Sequence, residues 1–268
     1  MTELLIFVVA AVVGVLGSML GIGGGVLLTP ILTSFFGVPI KTAIGASIVS
    51  VIATSSAAGA VYVGRGLTHT RLAMILEIAT TAGALAGGIT AILLNPRLLY
   101  VVFGLVLLYV VYSMSVKRRE EGAQDGSGVL HTEYVDPKTQ KVVKYGVHRM
   151  VAGMVTSFLA GNVSGLLGIG GGVIKVPAMN LIMGVPLRAA IATSNFMIGI
   201  TAATSATIYY QHGFLNPNVA IPTALGVLLG AQIGARVSGK VRSVRLRQIF
   251  QIVLIFFAIL MLYRAVNG

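Results

Sequence analysis

The sequence predicts an all-α integral membrane protein of two inverted-topology repeats, each a glycine-broken helix pair followed by three transmembrane helices. Three observations carry this prediction. Of the 268 residues, 56% are hydrophobic and only 10% charged, with a mean hydropathy of +0.94. Soluble domains run nearer one-quarter charged, and so few charges cannot cover a water-facing exterior. The apolar residues gather into runs near bilayer length, and the order of those runs repeats at one fixed offset of 147 residues.

The first membrane repeat covers residues 1–116 and contains apolar runs at 4–20, 26–36, 42–63, 72–94 and 98–116. The run at 4–20 has Glu3 as its only nearby charge and no basic region before it, so it reads as a retained helix and not a cleaved signal. The second repeat, 149–268, has runs at 150–167, 173–183, 189–210, 218–238 and 246–263. Three runs in each half approach the roughly 20 residues that span a bilayer, while the pair around each glycine turn is shorter. Residues 117–148 form a polar linker, in which β-prone residues flank Asp136-Pro137-Lys138-Thr139. That pattern suits a tether able to hold a small β-hairpin.

The repeat is closer than hydropathy alone. Gly21-Ile22-Gly23-Gly24-Gly25-Val26 recurs as Gly168-Ile169-Gly170-Gly171-Gly172-Val173, and Gly37-Val38-Pro39 as Gly184-Val185-Pro186. At the same offset Pro30 matches Pro177, Ser47 matches Ser194, Thr54 matches Thr201, Tyr62 matches Tyr209, and Gly83 and Gly87 match Gly230 and Gly234.

Basic residues orient the halves, because cytoplasmic loops collect Lys and Arg. If each glycine-turn pair enters and leaves on one side, the second half is upside down relative to the first. With the linker cytoplasmic, 14 of the 19 basic residues then lie inside and three (Lys41, Arg97, Arg264) outside. A parallel arrangement divides them 10 to 7. The inverted arrangement puts both termini outside. Read this way, the net charge of +12 is loop asymmetry, and no nucleic-acid partner is expected.

The glycine turns are the strongest candidates for chemistry. Four glycines in five residues oppose a continuous helix, and non-helical backbone at membrane depth lines a cavity or is buried in protein. The helix start after each turn presents free N–H groups and partial positive charge, which suits an oxyanion. Gly23, Gly24 and Gly25 in the first turn and Gly170, Gly171 and Gly172 in the second are thus candidate anion-binding residues; close helix packing explains the same glycines otherwise. The pairs Gly17/Gly21, Gly83/Gly87, Gly161/Gly165 and Gly230/Gly234 read mainly as packing contacts. Neither turn has the Gly-Lys-Ser/Thr ending of a nucleotide-binding loop.

Polar residues within apolar runs extend the candidate site. Ser47, Ser194 and Asn195 could hydrogen-bond an anion, or bond between helices. Lys175 sits three residues after the second turn, where the first half has Leu28, and a cation at that depth needs water or a counter-charge. Gln232 and Arg236 share a helix face; Arg236 lies close enough to the helix end to snorkel. Glu77 suits proton coupling, but its place near a helix start suits an interface equally. His69 and His212 fall in short loops and are expected to be solvated. Cysteine is absent, and no metal cluster, cofactor motif or catalytic triad is seen. The chain is therefore expected to be neither an enzyme nor a cofactor-binding protein.

The duplicated glycine turn, with its apolar stretch, proline and Gly-Val-Pro, resembles the sulfite exporter TauE/SafE family of membrane transporters. The matching pieces are 21–30, 37–47, 168–177 and 184–195. The resemblance implies export of sulfite or a related sulfur oxyanion or organosulfonate across the inner membrane of a bacterial cell. Residue patterns by themselves reach only a small anion, carried by alternating access. An anion channel and a non-transporting membrane scaffold remain alternatives, and monomer and homo-oligomer are equally compatible with the sequence.

Overall fold

The computed structural model describes residues 2–20, 24–115, 128–136, 140–237 and 243–267. Gly23 and linker residues 117–127 and 137–139 lie outside this set. Ten α-helices and one two-stranded sheet are found among the described residues. In chain order the first half contains α1 (Thr2–Leu20), α2 (Gly25–Phe36), α3 (Ile40–Gly64), α4 (Thr70–Leu93) and α5 (Pro96–Ser115). Strands β1 (Val129–Val135) and β2 (Val142–Val147) follow. The second half contains α6 (Met150–Leu167), α7 (Gly172–Pro177), α8 (Leu187–Gln211), α9 (Pro217–Val237) and α10 (Ser243–Asn267).

Eight of these helices are long and apolar enough to cross a membrane: α1, α3, α4, α5, α6, α8, α9 and α10. That makes four per half, where three were expected. Helices α1 and α6 reach 19 and 18 residues because each runs without interruption to its glycine turn. Only the second member of each pair is short. In the second half, Pro177 supplies no N–H, and α7 opens into a π-helical turn, Ala178–Ile182. The Asn180 amide closes that turn on the Val185 carbonyl at 2.9 Å.

The packing exchanges helices between the halves. Helix α1 lies along α9, and α4 lies along α6. These contacts are backbone against backbone, and glycine makes them. A Cβ at Gly226 or Gly230 would run into the carbonyl oxygen of Phe7 or Ala11. One at Gly83 or Gly87 would meet the carbonyl oxygen of Phe158 or Asn162. Gly161 and Gly165 face the carbonyls of Thr80 and Ala84 in the same way. Small residues at such spacing let helices approach where lipid provides no hydrophobic drive. Two tyrosines lock corresponding places: Tyr62 donates to the Ser18 carbonyl and Tyr209 to that of Gly165.

At the centre α3 crosses α8 in antiparallel fashion. Gly45 abuts Phe214, Ser55 donates to the Asn195 carbonyl, and Gly59 faces Phe196. Helices α5 and α10 are also antiparallel, since Gly104 meets Leu262 while Gln251 reaches the Val111 carbonyl.

The described part of the linker is an antiparallel hairpin docked on the membrane helices. Register pairs Thr132 with Tyr145 and Tyr134 with Val143. Tyr134, Tyr145 and Val147 are buried with Leu67, Leu72, Val176, Met179 and Met183. Burial raises the pKa of both tyrosine hydroxyls above the ordinary phenol range. Arg188, in the first turn of α8, pairs with Asp136 at the hairpin tip.

Candidate functional site

Three glycines of the second turn sit in left-handed backbone: Gly168 (φ 69°), Gly170 (φ 80°) and Gly171 (φ 70°). Side-chained residues are strained there, which is why the turn is written in glycine. Gly168 caps α6, its N–H bonding to the Ser164 carbonyl at 2.7 Å. The Gly171 carbonyl accepts from Ile174 and Lys175, starting α7. Gly24, at the start of α2, plays that part in the first half, accepting from Leu27 and Leu28.

Both turns meet at the core. A Cβ on Gly25 would collide with the Gly168 carbonyl oxygen, the Ser47 hydroxyl and Val51. The Ser47 hydroxyl lies 3.1 Å from the Gly25 carbonyl and 2.9 Å from that of Gly168. Gly170 presses on Val51 and Ile198, and Gly24 packs toward Val13, Val227 and Thr54. The two turns touch where Gly25 meets the Gly168 carbonyl, and Gly171 and Gly172 are buried.

Beside the second turn lies a buried charged cluster. Lys175 and Glu77 have side chains only 1% and 6% exposed, with Nζ 3.7 Å from Oε2. Lys175 Nζ donates to the Thr201 hydroxyl at 2.9 Å, and Thr201 donates to Glu77 Oε1 at 2.6 Å. The same hydroxyl stands 3.2 Å from the Met197 carbonyl, an alternative acceptor. Thr81 adds a long contact to Oε1 at 3.5 Å. Glu77 Oε2 has no hydrogen-bond partner among the described residues. Glu77 is therefore covered by protein: α4 packs on α6 and α8.

Ser194 and Asn195 are fully buried on α8. The Asn195 amide donates to the Ile191 carbonyl at 2.9 Å. The Ser194 hydroxyl and Asn195 Oδ1 have no partner among the described residues. Buried polar atoms are normally paired, so each of these orphans is a position suited to a polar guest. Their neighbour Thr193 accepts from the His69 backbone N–H at 3.0 Å.

Gln232 is half-buried, and Arg236 is exposed in the last turn of α9, outside the buried cluster. A long cation near a helix end reaches outward at lower cost than inward. His69, expected to be solvated, is instead buried. Its Nδ1 accepts from the Leu72 N–H at 3.3 Å, capping α4. Nε2 is left to carry the proton and donate to the Leu130 carbonyl at 3.0 Å. Burial lowers its affinity for a second proton below that of an ordinary imidazole.

Glu77, Thr201 and His69 are the residues that sequence reasoning undervalued. The available signal was the repeat itself. Thr201 has a counterpart in Thr54, whereas Lys175 and Glu77 stand where the other half has Leu28 and Ala224.

The family model for the sulfite exporter TauE/SafE family matches residues 6–261. A probable membrane transporter protein of Bacillus subtilis (strain 168), YunE, is 27% identical over 99% of each chain. A probable membrane transporter protein of Xylella fastidiosa (strain Temecula1 / ATCC 700964) is 27% identical over 94% of this chain and 92% of its own. No solved structure matches the chain.

Proposed function

This chain belongs to the sulfite exporter TauE/SafE family of membrane transporters, and we propose that it is a secondary transporter of small anions, exporting sulfite or a related sulfur oxyanion or organosulfonate. The observation that carries the anion reading is Lys175, an ammonium buried at 1% exposure beside a glycine turn. A buried cation of this kind is costly unless it serves a pathway or pairs with a counter-charge. The unpartnered Ser194 hydroxyl supplies a donor on the adjoining helix. The substrate-binding set is Gly23, Gly24, Gly25, Ser47, Gly170, Gly171, Gly172, Lys175, Ser194 and Asn195. Gln232 and Arg236 line the approach.

Alternating access in this reading moves one half against the other, with inverted halves at 1–116 and 149–268. Support comes from α3 against α8 and α5 against α10. Each pair consists of equivalents at the 147-residue offset, and each runs antiparallel, as a two-fold axis in the membrane plane requires. In this reading the membrane is the bacterial inner membrane, the linker is cytoplasmic and both termini face outward.

Two measurements test the function. Sulfite, thiosulfate, sulfate, sulfoacetate, phosphate and chloride are compared for their effect on the melting temperature of purified protein, which a ligand of the folded state raises. Counterflow of labelled sulfite is then followed in proteoliposomes. Selective stabilisation with saturable counterflow supports a transporter. Flux without counterflow indicates a channel, and no response to any anion indicates a scaffold.

A further inference from the structure

We propose that Glu77 is the transporter's proton site: an incoming anion displaces it from Lys175, and the freed carboxylate takes up one proton, so that anion and proton travel together. This rests on the anion-transport reading and adds the coupling ion to it.

The geometry is that of an occupied ammonium. Lys175 has one carboxylate within ion-pair distance, Glu77, and one hydroxyl, Thr201. An anion seated at the glycine turn beside Lys175 competes with Glu77 for the same positive charge. Two negative groups around one buried ammonium leave an uncompensated charge in a medium of low dielectric. A proton on Glu77 removes one unit of it. The balance is simple: the carboxylate plus one proton becomes a carboxylic acid, and no bond is broken elsewhere.

The cluster already holds what the protonated state needs. Oε2 is buried and without a hydrogen-bond partner among the described residues, so it is the oxygen open to a proton. Thr201 donates to Oε1 in the ion-paired state. With the proton on Oε2, Oε1 becomes the carbonyl oxygen of the acid and still accepts from Thr201. No other charged group faces Glu77 among the described residues. Helix α6, packed along α4, has no titratable side chain between Met150 and Leu167, α8 contributes Thr201, and α7 contributes Lys175.

The fold itself does not require the pair. At the 147-residue offset Lys175 becomes Leu28, which is 1% exposed in the core, and Glu77 becomes Ala224, while Thr201 remains threonine as Thr54. The equivalent positions carry no charge, whereas α4 of the first half and α7 of the second contribute an acid and a base to one cluster. Charge accounting also favours outward movement. A sulfite dianion with one proton still carries one negative charge, which an inside-negative membrane potential drives out.

The test uses proteoliposomes with equal labelled sulfite on both sides, comparing wild type with Glu77→Gln. Exchange is measured at symmetric pH and accumulation under an imposed pH gradient, with and without an uncoupler. Protonation of sulfite itself affects both proteins alike. Wild type is expected to accumulate label several-fold toward the alkaline side and to lose this with uncoupler. Glu77→Gln is expected to retain exchange at symmetric pH while its gradient response disappears. An undiminished gradient response in the variant, or wild-type exchange with none, overturns the proposal. If Glu77→Gln does not fold, Thr201→Val, which keeps both charges, is expected to lower the gradient response several-fold while exchange at symmetric pH persists; an unaltered response overturns the proposal. Absence of wild-type counterflow refutes the transporter reading first, a separate failure.

Discussion

The Ser47 hydroxyl lies 2.9 Å from the carbonyl oxygen of Gly168, joining residues 121 apart in the chain. Its other acceptor, the Gly25 carbonyl, belongs to the opposite glycine turn. One hydroxyl proton shared between two buried carbonyls holds the turns in register, at a point where the backbone has few other donors.

Ser47→Ala leaves both carbonyls dependent on whatever water reaches them. The expected cost is about 1–3 kcal/mol, the penalty for an unsatisfied buried group. Thermal unfolding in detergent reads it as a lower melting temperature. An unchanged value would mean that the two turns are held together by packing alone.

The buried ion pair predicts non-additive mutations. Lys175→Leu or Glu77→Ala alone strands a buried charge, at a cost of about 3–5 kcal/mol. The double variant carries uncharged residues at both positions, as their 147-residue equivalents Leu28 and Ala224 do, and is expected to recover most of that loss. A double-mutant cycle on melting temperature measures the coupling; simple addition of the two losses would deny the pair its mutual dependence. The doubly substituted protein should fold and carry no sulfite.

Glycine interfaces and free glycines should behave in opposite ways. At Gly230 a Cβ runs into the Ala11 carbonyl, whereas Gly64 has nothing near its Cβ position. Gly230→Ala is expected to destabilise by on the order of 3 kcal/mol through overpacking. Gly64→Ala should move stability by no more than about 1 kcal/mol, in the direction of helix propensity. Equal melting temperatures for the two variants would contradict the close α1–α9 contact.

Hairpin docking should weaken in acid. His69 caps α4 with Nδ1 and holds Leu130 with Nε2, and a proton on Nδ1 removes the cap acceptor. Because burial depresses its folded pKa, the unfolded chain binds the extra proton more readily. Stability from this contact is therefore full above the ordinary imidazole value, about 6.5, and declines as pH falls below it. Hydrogen exchange of 129–135 and 142–147, corrected for intrinsic rates, should quicken between pH 7.5 and 5.5. His69→Gln should flatten that dependence; an unaltered slope would exclude His69 as its source.

Local chemistry was legible in the sequence, and long-range contact was not. Glycines at 168, 170 and 171 announced a backbone that other residues resist, and their φ values bear this out. The small-residue pairs announced close helices, though not which helices. Lys175 was conspicuous as a cation without a visible counter-charge. Its partner was misjudged, because position along a helix gave no hint that α6 and α8 cover that turn of α4. His69 was read as a loop residue for the same reason: the hairpin that buries it arrives some 60 residues later, Leu130 being 61 positions away. Arg236 was read as able to snorkel from its place near a helix end, and it is exposed in the last turn of α9. Helix length was underread in α1 and α6, since a glycine turn draws attention to the break and away from the uninterrupted run before it.

The exchange of helices between halves governs how this protein can be born. Helix α1 leaves the ribosome carrying a face shaped for α9, which is made near the end of synthesis. Helix α4 likewise waits for α6 across the whole linker. During translation those small-residue faces must rest against lipid or against the insertion machinery, and neither half has its own partner for them. A gene cut at the linker should therefore yield two unstable fragments when each is made alone, and one working protein when both are made in the same membrane.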